Sequence, residues 1–174
     1  MIVRPMQPAD TGICARWMAD TPLWQPYGVT QTSAQRRFEI ALEHQATIAV
    51  AEGEEPELGK KQLLGFVWYS LRGAFERSGY IPLIGVAPAE YGQGVGKALM
   101  DYAESHVFQQ VSELFLLVSD FNVPAQRFYQ RRGYIQVGTL PDYILPGISE
   151  LIYLKRRPAS RSLNVGGNQI EQSI

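Results

Sequence analysis

Val86-Ala-Pro-Ala-Glu-Tyr-Gly-Gln-Gly-Val-Gly-Lys97 joins an apolar run, YIPLIGVA at 80–87, to a long helical pattern that ends near Val111. Three glycines, Gly92, Gly94 and Gly96, stand where a strand gives way to a helix. Without side chains, successive backbone N–H groups can converge, and the helix dipole adds partial positive charge at the same point. Such a turn suits a phosphate or pyrophosphate. Two familiar nucleotide loops are excluded. A Walker loop needs Ser or Thr after Gly-Lys, and Lys97 is followed by Ala98. A dinucleotide fingerprint needs a glycine three residues after Gly96, and that residue is Leu99. A tight strand–helix connection with no ligand is the reading that competes with an anion site.

Working outward, the helix after the turn places Val95, Leu99, Tyr102, Ala103, His106 and Val107 on one stripe. Upstream, 46–51 and 63–71 read as strands of an antiparallel hairpin around a polar turn at 52–62. Pro82 lies inside the next strand and cannot donate to a ladder, so pairing should break there on one side. Nearer the N-terminus, Ile2–Arg4 opens the chain, and Asp10 can cap a helix with Ile13, Trp17 and Met18 inward. An aromatic-rich loop at 19–31 and a helix at 33–44, with Ala34, Phe38, Ala41 and Leu42 inward, follow. Downstream, Leu114–Val118 is a solid apolar run expected of a buried central strand. A short helix from Pro124 stops at Gly133, and two strands, 134–139 and 149–156, flank a loop.

The whole chain has 174 residues, 45% hydrophobic and 19% charged, with 16 Lys+Arg against 17 Asp+Glu. One α/β domain over 1–157 is expected, followed by a polar, disordered tail at 158–174. A net charge of −1 argues against a nucleic-acid or anionic-membrane partner. One cysteine and two histidines argue against a disulfide framework or a zinc cluster. With no long apolar run and no apolar leader, a cytoplasmic location is expected.

The segment VSDFNVPAQRFYQRRGY at 118–134, directly after the central strand, narrows the ligand. Together with 86–97 it resembles the acetyl-CoA-dependent N-acetyltransferases of the GNAT superfamily. The first stretch is similar to that family's acetyl-CoA motif, a Gly-x-Gly turn after a strand ending in Val-x-Pro. The second is similar to its Asn-x-x-Ala-x-x-x-Tyr element, matched at Asn122, Ala125 and Tyr129 and closed by Arg132-Gly133-Tyr134. The resemblance covers about residues 1–157. One departure stands out: the family has Arg or Gln three residues before its Gly-x-Gly, and here that residue is Tyr91.

The resemblance implies a twisted mixed, mostly antiparallel sheet of about six or seven strands flanked by about four helices. It implies an N-acetyltransferase that moves acetyl from acetyl-CoA to a small-molecule or peptide amine, and it leaves a homodimer open. The turn Tyr91, Gly92, Gln93, Gly94, Val95, Gly96 and Lys97 would hold pyrophosphate. Ile84, Gly85 and Val86 would run beside the pantetheine arm, with Val86 N–H polarising the thioester carbonyl. Asn122 and Ala125 would line the arm, and Tyr129 would be the general acid. A phenol is protonated at neutral pH and lies near a thiol in acidity. No base stands out, since Glu113 is at a strand edge. Glu52, Asp120, Asp142 and Glu150 are the alternative bases, against a reading as solvated loop or strand-end charges. Arg131-Arg132 and Arg156-Arg157 read as solvated pairs, with the CoA 3′-phosphate as the alternative partner of one. Trp17, Trp24, Tyr27, Asp142 and Tyr143 would border the acceptor cleft, against plain packing for the tryptophans. A non-catalytic CoA- or acyl-CoA-binding module and a nucleotide-binding domain unrelated to CoA are the competing functions.

Overall fold

In the computed structural model, which describes residues 1–54 and 59–158, the alternating apolar runs pair into one seven-stranded sheet ordered β1-β2-β3-β4-β5-β7-β6. The strands are β1 (Ile2–Pro5), β2 (Thr47–Glu54), β3 (Lys61–Ala74), β4 (Ser78–Val86), β5 (Glu113–Ser119), β6 (Ile135–Leu140) and β7 (Glu150–Arg156). Every neighbouring pair is antiparallel except β4–β5. That parallel pair needs a long crossover, supplied by a helix. The helices are α1 (Thr11–Asp20), α2 (Gln31–Glu43), α3 (Val95–Gln110) and α4 (Val123–Arg131). The mixed, mostly antiparallel sheet and the four helices agree with expectation. The tail falls, from residue 159 on, outside the described residues.

Alternation along each strand divides the core in two. Val67, Ile81, Leu116 and Val118 pack under α3 with Leu99, Ala103 and Tyr129, while Val50, Phe66 and Leu83 pack under α1 and α2 with Cys14, Met18 and Phe38. Tyr129 therefore puts α4 on the α3 side. In α1 the inward stripe is Thr11, Cys14, Ala15 and Met18. The expected stripe is corrected: Ile13 is exposed and Trp17 half-buried. The small residues Cys14 and Ala15 let α1 sit close, which a search for large apolar residues overlooks. The second helix begins two residues early because Thr30 accepts Ser33 N–H at 3.1 Å and caps it.

Pro82 shapes the middle of the sheet. The β4–β5 ladder holds only Gly79–Ile81 against Leu114–Leu116 and stops at the proline, which has no N–H to give. On the other edge the β3 register slips between Trp68 and Ser70, because β4 carries one extra residue there. Beyond that bulge, Leu83–Val86 stay paired with β3 and part from β5. The result is a gap between two strand ends, with one helix beginning at each.

Arg4 ties β1 to its neighbours: its guanidinium donates to Asp10 at 2.7 Å and to Glu52 at 2.8 Å. Burial alone would raise the Asp10 carboxyl, but Arg4 and the Gln7 amide outweigh it and hold it below its ordinary value. Lys61 first, and then Arg4, do the same for Glu52. A carboxyl whose folded pKa is depressed stabilises the fold above its unfolded value and loses that contribution as pH falls through the folded value. Stability should therefore drop below about pH 4. In Arg4→Met the drop should flatten, because burial then favours the protonated Asp10. Urea unfolding across that range checks this, and an unchanged slope in the variant would contradict it.

Candidate active site

The glycine turn is built as its residues require. Gly92 and Gly94 lie at φ 79° and 82°, in the left-handed region where side chains are strained. A Cβ on either would meet nothing within 4 Å, so backbone conformation and not crowding calls for glycine. Gly94 starts α3, and the first intrahelical bond there is Ala98 N–H to Gly94 O at 3.0 Å. The N–H groups of Gly92, Gly94, Val95, Gly96 and Lys97 have no hydrogen-bond partner among the described residues. Gln93 is engaged, its N–H reaching Glu90 O at 3.3 Å. The Tyr91 ring is exposed, and the Lys97 ammonium turns away to Asp101 at 2.6 Å.

This turn lies beside the gap. A Cβ on Gly96 would stand 3.7 Å from Val86 and 3.6 Å from the Phe128 ring, so the ends of β4, α3 and α4 meet here. Ala87 N–H donates to Leu64 O of β3 at 2.8 Å. Because N–H groups alternate along a strand, Ile84 and Val86 direct theirs away from β3, toward the gap, while Gly85 directs its own toward β3.

Across the gap, Asn122 caps α4, its side-chain oxygen accepting Ala125 N–H at 3.3 Å. Ala125 is half-buried beneath it. Two turns on, Tyr129 is 6% exposed, its ring 5.2 Å from Phe128 and 5.6 Å from Tyr134. Its hydroxyl has no bonded partner, and no fully enclosed side-chain oxygen or nitrogen among the described residues lacks one, so the hydroxyl keeps contact with solvent. Burial pushes this phenol up from its ordinary value.

A charge cluster that sequence reading passed over fixes α3 against α4. Glu104, on the buried stripe of α3, receives Arg132 at 2.9 Å, Lys155 at 2.7 Å and the Tyr134 hydroxyl at 3.1 Å. Arg132 also reaches Asp101 at 2.8 Å. Arg132 is thus half-buried and paired, which corrects its reading as a solvated charge. Gly133, at φ 85°, ends α4 so that Tyr134 can turn inward. The signal in the sequence was an acid inside a helix's apolar stripe, at Glu104 between Ala103 and Val107, with an Arg-Gly-Tyr further along the chain.

The opposite face of the sheet holds a second polar group. Ser119 ends β5 and Glu150 begins β7, and the two are direct ladder partners. Tyr27, in a 3-10 turn spanning Pro22–Tyr27, lays its hydroxyl 2.9 Å from Glu150 and 2.5 Å from Ser119. Glu150 is 3% exposed and Glu52 is 7% exposed, so neither is the solvated charge expected. Asp120 and Asp142 are exposed and clamp the β6–β7 loop, accepting Ser149 N–H at 3.2 Å and Gly147 N–H at 2.6 Å. Tyr27 does reach across to β5 and β7, whereas Trp17 and Trp24 pack against the core under α1 and α2. Tyr143 is exposed in the β6–β7 loop. Cys14 is a core residue whose thiol burial pushes up to about 12.

The model of the Acetyltransferase (GNAT) family matches residues 14–134, which run from α1 through both motifs. The chain belongs to the GNAT acetyltransferases. The matched span is an acetyltransferase domain, and its fold is shared by solved GNAT structures. A GNAT-family acetyltransferase from Desulfovibrio desulfuricans superposes with a TM-score of 0.73 at 24% identity, over 89% of this chain and 98% of that one. An aminoglycoside 6'-N-acetyltransferase solved with coenzyme A gives a TM-score of 0.68 at 15% identity, over 90% and 97%. Among curated proteins, mycothiol acetyltransferase of Mycobacterium leprae is 28% identical over 123 residues, 67% of this chain and 39% of its own length. The chain thus spans about two fifths of that relative. Among the described residues, no helix is long and apolar enough to cross a membrane.

Proposed function

We propose that this GNAT domain transfers an acetyl group from acetyl-CoA to a primary amine by direct attack. The observation that carries the reading is the set of five unengaged amides at Gly92, Gly94, Val95, Gly96 and Lys97, beside a gap between two strands. Amides converging at a helix start fit a pyrophosphate, and the open space over Gly92 and Gly94 leaves room for one. The main chain does this work, so Tyr91 in place of Arg or Gln leaves the grip intact.

When bound, acetyl-CoA supplies an activated acetyl thioester. Ile84 and Val86, with N–H groups free toward the gap, would hold the extended arm as a neighbouring strand would. Val86 N–H would then steady the negative charge that builds on the carbonyl oxygen. Asn122, already capping α4, would use its side-chain amide N–H on the arm from the β5 side, over Ala125. Tyr129 would give its proton to the departing sulfur and be reprotonated, by way of water, by the proton that the acylated nitrogen sheds. Burial raises the Tyr129 pKa, which keeps the phenol proton in place across the working pH range. The amine must be neutral to attack: for a lysine-type group this costs ~4–5 kcal/mol at pH 7, for an α-amine ~1–1.5 kcal/mol. An α-amine is therefore the easier acceptor.

Release of free thiol from acetyl-CoA, followed over a panel of amines and peptides, tests the reading. Thiol should appear only with an amine present, one per acetylated product. Saturable CoA binding with no release across the panel would favour the non-catalytic module instead.

A further inference from the structure

Four carboxylates are buried among the described residues: Asp10 at 7%, Glu52 at 7%, Glu104 at 8% and Glu150 at 3% exposure. Three have cations at hand, Arg4 for Asp10, Arg4 and Lys61 for Glu52, and Arg132 and Lys155 for Glu104. Glu150, the most enclosed, has none among the described residues; its partners are the hydroxyls of Tyr27 and Ser119. Those hydroxyls carry two protons for four oxygen–oxygen contacts, so at most two of about four acceptor positions on the carboxylate are filled. The nearest donor to Oε2 is Ser119, at 3.4 Å. A buried carboxylate without a cation is costly unless a positive ligand completes it.

Its position says which ligand. Ser119 ends the strand that borders the gap, and its side chain and that of Glu150 lie on the face opposite Tyr129. Tyr80, on β4 opposite Phe115 in the paired part of the ladder that leads to the gap, faces the same way. Burial raises its phenol, the nearby Tyr143 phenol and Glu150 carboxylate raise it further, and the Arg37 guanidinium on α2 lowers it. The Tyr27 ring, whose hydroxyl is on Glu150, lies 6.5 Å from the Phe121 ring, and aromatic rings beside a carboxylate suit an organic cation.

We propose that Glu150, held by Tyr27 and Ser119, is the seat of the acceptor's ammonium group. This rests on the acetyl-transfer reading above. The acceptor class is then a primary alkylammonium with an apolar or aromatic body, not an amine that is uncharged in water. It would approach the gap from the face opposite Tyr129 and attack after losing one proton to water, so the incoming nitrogen and the departing sulfur are served from two sides. Glu150 positions the acceptor and Tyr129 touches the leaving group.

The test uses ligand-observed NMR on the full chain with CoA present and absent, with benzylamine as probe and benzyl alcohol as its neutral counterpart. Benzylammonium should bind saturably in the millimolar range and benzyl alcohol should not. Glu150→Gln should weaken benzylammonium about 10- to 100-fold, the range for a lost charge-assisted bond. CoA affinity should be unchanged in that variant, and Glu150→Asp should recover part of the loss. Equal binding of the two probes, no binding of either, or an unchanged affinity in Glu150→Gln overturns the proposal. If Glu150→Gln does not fold, the two probes on the wild-type chain and the Asp variant decide. Loss of CoA binding in the wild type would instead strike the acetyl-transfer reading, since the probe titration without CoA reads the Glu150 seat alone.

Discussion

Tyr129→Phe should lower kcat by about 10²- to 10⁴-fold, the usual worth of a positioned general acid, and leave CoA affinity nearly unchanged. The two effects separate because of how the side chain sits. Its ring fills the core under α3 beside Phe128 and Tyr134, and Phe would fill the same space. Its hydroxyl has no protein partner to leave stranded, so the melting temperature should barely move. The pH profile adds a second readout. Burial raises this phenol, and a raised acid keeps its proton until pH passes the raised value. Activity of the unaltered enzyme should therefore climb with pH as the amine is freed, with no alkaline fall from Tyr129 below about pH 10. Steady-state kinetics of the pair across that range measures both. Equal turnover in the Phe variant would remove Tyr129 from its role.

Gly94→Val should abolish tight CoA binding, with a loss above about 100-fold. At φ 82° a β-branched residue is strained by ~1–3 kcal/mol, and the turn would relax by rotating its peptides. Rotation turns away amides whose bonds to a charged group are worth ~1.5–3 kcal/mol each. Stability should suffer far less, because residue 94 is exposed and a Cβ there meets nothing within 4 Å. Gly96→Ala is the internal control. Gly96 is not in the left-handed region, and its added methyl would find ordinary contacts at 3.6–3.7 Å. It should bind CoA nearly as the unaltered chain does. Calorimetric titration of the three proteins reads the contrast.

The parts of this molecule that were legible in the sequence are those set by local chemistry. Pro82 announced where the β4–β5 ladder ends, because a missing N–H acts at its own position. Gly92, Gly94 and Gly133 announced positive φ, and Asn122 a helix start. What stayed hidden depends on which chain segments meet. Glu150 reads as a strand-end charge until β7 lies beside β5 and Tyr27 folds over both. Arg132 reads as a solvated helix-end charge until Glu104 faces it from α3. The small, close-packed stripe of α1, Cys14 and Ala15, carries too little apolar weight to outrank Ile13 and Trp17 in a periodicity.

Everything proposed for the reaction depends on the bare amides from Gly92 to Lys97 gripping a diphosphate. Isothermal titration of the unaltered chain with CoA, set against the same titration with 3′-dephospho-CoA and with free pantetheine, tests that most directly. The account predicts saturable one-to-one binding for both diphosphate-bearing ligands and a collapse of affinity for pantetheine. Equal affinity for pantetheine and CoA, or no saturable heat with CoA, would contradict it.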